Sequence, residues 1–87
     1  MKLLENTEQC AVYEYTRPVY EPDPAKPMRQ RICSYQYGRA QLDKITGTAK
    51  QLSGEDWDDG FYFSRVARVM IRNHLVGVYP ETTGYQA

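Results

Sequence analysis

The stretches QCAVYEYTRPVY, residues 9–20, and RQRICSYQY, residues 29–37, decide the fold of this 87-residue chain. The first is rich in valine and tyrosine, and the second carries Ile32, Tyr35 and Tyr37, all residue types that favour strands. Alternate residues of the second stretch, beginning at Arg29 and ending at Tyr37, fall on one face of an extended chain. The two stretches predict an antiparallel hairpin. Because neither face is fully apolar, tyrosines must serve on its core face.

Prolines interrupt the sequence around the connection between these strands. Pro18 lacks an amide hydrogen, so the first strand is expected to end there or to run along a sheet edge. Residues 21–28, EPDPAKPM, hold three more prolines and predict a loop. Gly38 is expected to end the second strand.

The segment RAQLDKITGTAKQL, residues 39–52, has two interpretations. Its apolar residues have the spacing of one helical stripe, which favours a helix. They are Leu42, Ile45, Ala49 and Leu52. Gly47 weakens a helix by about 1 kcal/mol relative to alanine, so two strands joined by a turn at Thr46-Gly47 are the alternative.

Residues 57–75 predict an amphipathic helix, with Gly60 as a point that delays its start. At 100° per residue its apolar side chains gather on one face. They are Phe63, Val66, Ala67, Met70 and His74. The opposite face gathers three arginines, Arg65, Arg68 and Arg72.

These segments predict an α+β fold: a tyrosine-rich antiparallel hairpin or small sheet packed against one or two helices. The length predicts a single domain over residues 1–87, with a mobile tail at 81–87. Eight tyrosines and one tryptophan compensate for few aliphatic residues, so the core is expected to be thin. Thin cores are often completed by a second copy or a partner.

Eleven basic and eleven acidic residues give a formal net charge of zero. Neutrality disfavours a general polyanion binder and an acidic mimic of DNA. The charges are nevertheless segregated. Residues 17–50 carry seven basic and three acidic residues, residues 51–60 carry four acidic residues, and residues 61–75 carry three arginines.

The sequence gives no pattern typical of an enzyme, so we expect no catalytic residues, no cofactor and no metal site. The acidic residues of segment 55–60 do not match a calcium loop, because Trp57 and Val66 occupy ligand positions. His74 is the single histidine and is expected to be a partly buried core residue. Cys10 and Cys33 are expected to be small buried hydrophobic residues, with a disulfide between them left open.

The sequence has no apolar run near the length of a membrane span and no signal-peptide pattern. A cytoplasmic location and no membrane partner are therefore expected. A short chain with few cysteines and no catalytic motif is typical of a small bacterial or phage accessory protein.

Two surfaces are candidates for binding. The first is the tyrosine hairpin, whose residues are Tyr13, Tyr15, Tyr35, Tyr37, Arg29 and Arg31. The second is the arginine face of the helix, Arg65, Arg68 and Arg72. Tyrosine and arginine concentrate at protein interfaces, and they also stack on and neutralise single-stranded nucleic acids. The same tyrosines would, in the simplest interpretation, form the core and its rim.

The sequence thus predicts a non-enzymatic binding or regulatory protein. Docking to a protein partner or to a second copy is the leading hypothesis. Binding of single-stranded nucleic acid or RNA through arginine and tyrosine is the alternative.

Overall fold

A computed structural model describes residues 1–83 of the chain. Four strands form one antiparallel sheet in the order β1-β2-β3-β4, and one helix follows them. The elements are β1 (Lys2–Asn6), β2 (Cys10–Asp23), β3 (Lys26–Asp43), β4 (Thr48–Ser53) and α1 (Phe61–Leu75). The architecture is that of a small α+β domain in which strands dominate.

The predicted antiparallel hairpin is confirmed, but it is much longer than expected. β2 and β3 pair from Cys10↔Asp43 to Asp23↔Lys26, and only Pro24 and Ala25 remain for the turn. The predicted loop at 21–28 is therefore wrong, as is the expectation that Gly38 ends a strand. Prolines are tolerated in β2 because its outer half has no neighbour beyond it, so a missing amide hydrogen faces solvent.

The helix predicted over residues 39–52 is wrong, and the alternative of two strands joined by a turn is confirmed. The Asp43 carboxylate accepts the backbone amides of Ile45 and Thr46 at 2.8 and 3.2 Å, and these bonds lower the pKa of Asp43. Gly47 supplies a φ of 74°. This turn chemistry overrides the helical spacing of the apolar residues, because it makes a tight hairpin available.

The first strand was not predicted from the sequence. β1 pairs with β2 through Leu3↔Tyr13, and the chain end returns along its outer side. The Leu3 amide donates to the Glu81 carbonyl at 2.7 Å, and the Thr83 amide donates to Met1. Residues 81–83 thus pair with the first residues of the chain, the mobile tail at 81–87 stays a prediction, and residues 84–87 lie outside the described part.

The helix predicted over 57–75 is confirmed from Phe61 to Leu75, its start delayed by Gly60. It packs on one face of the sheet. The largest fully buried side chains come from both layers, and they are Tyr13, Tyr15, Leu42, Met70 and Val66. Two of the five are tyrosines, as expected of a core with few aliphatic residues.

Tyr15 occupies a space that two glycines leave open. Gly38 lies opposite it on β3, and a Cβ there would approach the Tyr15 ring to 2.5 Å. Gly54, with a φ of 104°, lies beside the hydroxyl end of Tyr15, and a Cβ at this position would lie 3.2 Å from the Tyr15 hydroxyl. Glycine is required at Gly38 because any side chain would displace the ring. It is required at Gly54 because other residues are strained at that positive φ and a Cβ would lie 3.0 Å from the Gly38 Cα.

The Asp58 carboxylate joins the helix to the sheet. It accepts the backbone amides of Tyr62 and Phe63 at 3.0 and 2.9 Å, at the start of α1. It also accepts the Tyr15 hydroxyl at 3.1 Å, and Gln51 donates to that hydroxyl. A buried carboxylate with several donors stabilises the helix start, where backbone amides otherwise lack partners.

Candidate functional site

The outer half of the β2–β3 hairpin extends beyond the rest of the fold. β1 pairs with β2 only at residues 11–14, and β4 pairs with β3 only at residues 39–43. Residues 16–23 and 26–37 therefore form a two-stranded ribbon, here called the arm. At roughly 3.3 Å per residue the eight positions of its β2 half span about 26 Å.

The two sides of the arm differ in chemistry. Antiparallel partners share a face, and β2 alternates without a bulge of its own from Thr16 to Pro22. Between the pairs Thr16↔Tyr37 and Pro22↔Gln30, the side turned away from α1, here called the outer face, carries no charged residue. Its members are Thr16, Pro18, Tyr20 and Pro22 from β2, and Gln30, Ile32, Tyr35 and Tyr37 from β3.

Four large side chains on the outer face are uncovered. The exposed fractions are 55% for Tyr20, 46% for Ile32, 51% for Tyr35 and 56% for Tyr37. Roughly half of each aromatic surface, which totals about 150–250 Å² per side chain, faces solvent. These four residues form a contiguous apolar patch, because Tyr20 lies opposite Ile32 and Tyr35 lies one step further along the same face.

The opposite side of the arm, here called the inner face, is polar. Arg31 forms an ion pair with Glu21 at 2.9 Å. Arg17 donates to the Gln36 side chain, and its guanidinium lies 4.9 Å from the Trp57 ring centroid. The arm is therefore amphipathic, with charges on the side of the helix and aromatic groups on the other.

A β-bulge decides where Arg31 points. Val19 pairs with Ser34 and Tyr20 pairs with Ile32, so Cys33 is an extra residue in β3. Simple alternation would place Arg31 on the face of Tyr35, but the bulge shifts it to the inner face with Glu21. The exposed Arg29 lies nearer the tip. Cys33 is exposed and both cysteines are free, so the expectation that Cys33 is buried is wrong.

The structure separates the four tyrosines that the sequence grouped together. Tyr13 and Tyr15 face α1 and are buried in the core. The Tyr13 hydroxyl donates to the Pro80 carbonyl at 2.8 Å, and burial raises the pKa of Tyr13 with help from the nearby Tyr79 hydroxyl. Tyr35 and Tyr37 lie on the outer face, so only this second pair belongs to a surface.

The base of the arm is held by an aromatic cluster. The Trp57 indole nitrogen donates to the Tyr37 carbonyl at 2.9 Å. Its ring contacts those of Tyr15 and Tyr62, each with centroids 5.7 Å apart. This cluster anchors the segment 54–60 beside the β3 edge of the arm and places its exposed acidic residues there. These are Glu55, Asp56 and Asp59.

The helix arginines form a second, separate surface. Arg68 and Arg72 are exposed, whereas Arg65 is half-buried with its guanidinium 4.5 Å from the Phe61 ring centroid. None of the three takes part in an ion pair within residues 1–83. They lie on α1 and are not brought together with Tyr35 and Tyr37.

Two residues of the patch, Tyr20 and Ile32, were missed from the sequence. Tyr20 lies at the end of a strand that was expected to stop near Pro18, and Ile32 was assigned to the face opposite Tyr35. A turn at Pro24-Ala25 alone would pair Tyr20 with Arg29, and the register shift between Pro22 and Asp23 brings Tyr20 opposite Ile32 instead. The bulge at Cys33, which moves Ile32 to the same side as Tyr35, has no evident sequence signal.

Three further chemical features of the described residues bear on the site. Within the described residues, no group of three or more histidine, cysteine or acidic side chains is placed to hold a metal ion. His74 is half-buried, with its Nδ1 2.5 Å from the Tyr79 hydroxyl, as expected of a partly buried residue. No helix in residues 1–83 has the length and apolar character needed to cross a membrane.

Comparison with known proteins does not assign the chain to a family. No family model matches it, and no solved structure matches it. Follitropin subunit beta of Ailuropoda melanoleuca is 41% identical over 46 residues, which is 53% of this chain and 36% of that protein. The chain thus spans about a third of the length of the curated relative that it matches, too little to define a shared function.

Proposed function

We propose that this protein is a non-enzymatic docking protein that binds another protein chain through the outer face of its arm. The observation that carries the proposal is the uncovered patch of Tyr20, Ile32, Tyr35 and Tyr37 on a ribbon that projects from the fold. A patch of a few hundred Å² of exposed apolar surface is typical of an interaction site.

Two physical arguments support the proposal. An isolated two-stranded ribbon is only marginally stable in water, so a long arm that carries its own apolar face is stabilised when a partner covers it. Tyrosine also combines a large apolar ring with a hydroxyl that can bond to water or to protein. It therefore suits a surface that is exposed to water in the free protein and buried in a complex.

The experiment compares the proteins captured by the immobilised full chain with those captured by two variants. Mass spectrometry identifies the captured proteins, and nuclease treatment removes any that are held through nucleic acid. Tyr35→Ser removes an aromatic side chain from the patch. Leu75→Ser is the matched control, at a site on α1 where the side chain is 79% exposed and so more accessible than Tyr35. We expect captured protein to fall at least tenfold with Tyr35→Ser and to stay unchanged with Leu75→Ser. Equal capture by all three chains would contradict the proposal.

Nucleic-acid binding through α1 is the second candidate, favoured by the unpaired state of Arg65, Arg68 and Arg72 in the described part of the chain. Guanidinium groups recognise phosphates well. Affinity for a single-stranded oligonucleotide would then fall steeply as salt rises. Fluorescence anisotropy of the oligonucleotide tests this with the variant Arg68→Glu and the control Arg29→Glu. A loss of affinity confined to Arg68→Glu supports binding through α1. No binding by the native chain rejects the candidate.

The proposal includes the absence of an enzymatic activity and of a cofactor, and a cytoplasmic location. Two free thiols suit the cytoplasm, where disulfides are rare. That the protein is a bacterial or phage accessory factor stays a prediction from its size and composition.

A further inference from the structure

We infer that the occupant of the outer face is a second copy of this chain, packed face to face with its arm antiparallel to the first. The inference rests on the proposed function, because it names the partner of the same surface. It is drawn from the area of the patch, the placement of charges on the arm, and the charge at the tip of the arm.

The area suits an interface between two copies. The exposed halves of three tyrosines and one isoleucine amount to roughly 400 Å² of apolar surface. An interface of ordinary size buries about 800 Å² on each partner, a little over half of it apolar. The patch supplies most of that apolar part, and the uncharged Thr16, Pro18, Pro22 and Gln30 beside it extend the contact.

The distribution of charge makes the outer face compatible with itself. A two-fold axis brings the same surface of both copies together, so an unpaired charge on that surface would be buried against the partner's apolar patch. The paired positions of the outer face carry no charge, because Arg17, Glu21 and Arg31 all lie on the inner face, and next to the arm base the same side of the sheet carries one residue of each sign, Glu14 opposite Arg39. The whole chain has a net charge of zero, so two copies do not repel each other at long range.

The basic tip of the arm selects the antiparallel orientation. Near the tip, Lys26 and Arg29 outnumber Asp23. Parallel arms would bring the two basic tips together, whereas antiparallel arms place them at opposite ends of the interface. The acidic segment 54–60 lies on the α1 side of the sheet, where Trp57 contacts Tyr15 and Tyr62, so it stays outside this interface.

The first experiment measures the mass of the full chain in solution by light scattering between about 1 and 200 μM. We expect a dimer in the upper part of this range. Ile32→Asp places a charge at the centre of the patch, where the two copies cross, and should raise the dissociation constant at least 30-fold. Leu75→Asp should leave the constant unchanged, and far-UV circular dichroism verifies that both variants are folded.

The second experiment determines orientation from nitroxide labels and pulsed electron paramagnetic resonance. Cys33 lies beside the midpoint of the arm, so a label there in Cys10→Ser should give a short distance between copies. A label at the tip, from Met28→Cys in Cys10→Ser/Cys33→Ser, leaves the basic residues in place because Met28 is uncharged and fully exposed. It should give a longer distance, of the order of the arm length of about 26 Å or more. Short distances at both sites would mean parallel arms and would overturn the orientation.

Failure of this inference is distinguishable from failure of the proposed function. A native chain that stays monomeric up to 200 μM, while Tyr35→Ser abolishes capture of another protein, overturns the second copy and retains docking by the arm. A native dimer that Ile32→Asp does not weaken overturns the interface described here. A monomer that captures nothing overturns both.

Discussion

At the scale of single residues, one buried carboxylate links the helix to the sheet through several hydrogen bonds. Asp58 is 4% exposed and accepts hydrogen bonds from the backbone at the start of α1 and from Tyr15 in the sheet. Burial of a charge is costly unless it is hydrogen-bonded, and here the donors are fixed by two different elements. Asp58 therefore ties the position of the helix to the position of Tyr15.

Replacement of Asp58 by alanine should lower the free energy of unfolding by about 2–4 kcal/mol, because it removes the helix cap and leaves the Tyr62 and Phe63 amides without their acceptor. Asp59→Ala is the control, since the exposed Asp59 accepts one amide, that of Phe61, at 3.2 Å. That variant should lose less than about 1 kcal/mol. Urea denaturation measures both values, and equal losses would show that Asp58 has no special role.

Tyr13 predicts a stability change at alkaline pH. Burial raises the pKa of Tyr13 in the folded chain, whereas the unfolded chain has the ordinary value of about 10. The contribution of the protonated Tyr13 hydroxyl to the free energy of unfolding is thus complete below pH 10. It is lost as the pH rises through the pKa of Tyr13 in the folded chain. In urea denaturation from pH 8 to 12, Tyr13→Phe should show a shallower alkaline decline than the native chain. Tyr35→Phe, which removes a hydroxyl from the exposed outer face, is the matched control.

At the scale of elements, strand β1 depends on the chain end that runs beside it. β1 has five residues and would otherwise be an open edge of the sheet. Residues 81–83 exchange backbone hydrogen bonds with Met1 and Leu3, and the amino terminus donates to the Thr83 carbonyl at 2.7 Å. The two ends of the described chain thus stabilise each other.

Thr83→Pro tests this pairing, because proline removes the amide that donates to Met1. The free energy of unfolding should fall by about 1 kcal/mol, the usual net contribution of one hydrogen bond. Thr83→Ala retains the amide and should change stability by less than about 0.5 kcal/mol. Hydrogen exchange at Leu3 should accelerate in the proline variant alone, and identical exchange in both variants would contradict the assignment.

At the scale of the whole molecule, the arm makes the fold elongated. The Cα radius of gyration is 15.0 Å and the principal extents are 51 × 23 × 18 Å, whereas a compact chain of this length has a radius of about 12 Å. The elongation comes from the two strands that extend past their neighbours. Such an extension buries little apolar surface within a single chain. This is the physical reason to expect that a partner covers the arm.

Small-angle X-ray scattering of the Ile32→Asp chain should give a radius of gyration well above the compact value of about 12 Å. Deletion of residues 21–22 and 30–31 removes two pairs from the ladder and retains the alternation of faces. The longest dimension should then shorten by about 7 Å. A radius near 12 Å before deletion would mean that the arm folds back on the sheet.

Local sequence determined the elements that depend on neighbouring residues. Alternation and β-branched or aromatic residues specified the paired strands β2 and β3, and the 3.6-residue repeat specified α1 as far as Leu75. The same local patterns misassigned residues 39–52, because the apolar spacing of Leu42 and Ala49 fits a helix as well as two paired strands. Only their pairing across the sheet separates the two structures.

The sequence by itself determined that tyrosine would supply both the core and the candidate binding surface, because the chain has few large aliphatic residues. Tertiary structure alone decided which tyrosines belong to the core and which lie on the candidate binding surface. Gly38 opposite Tyr15 opens the space that buries that ring, and the bulge at Cys33 aligns Ile32 with Tyr35 on the exposed side. Strand register and bulges are set by contacts between residues distant in sequence, so no local pattern specifies them.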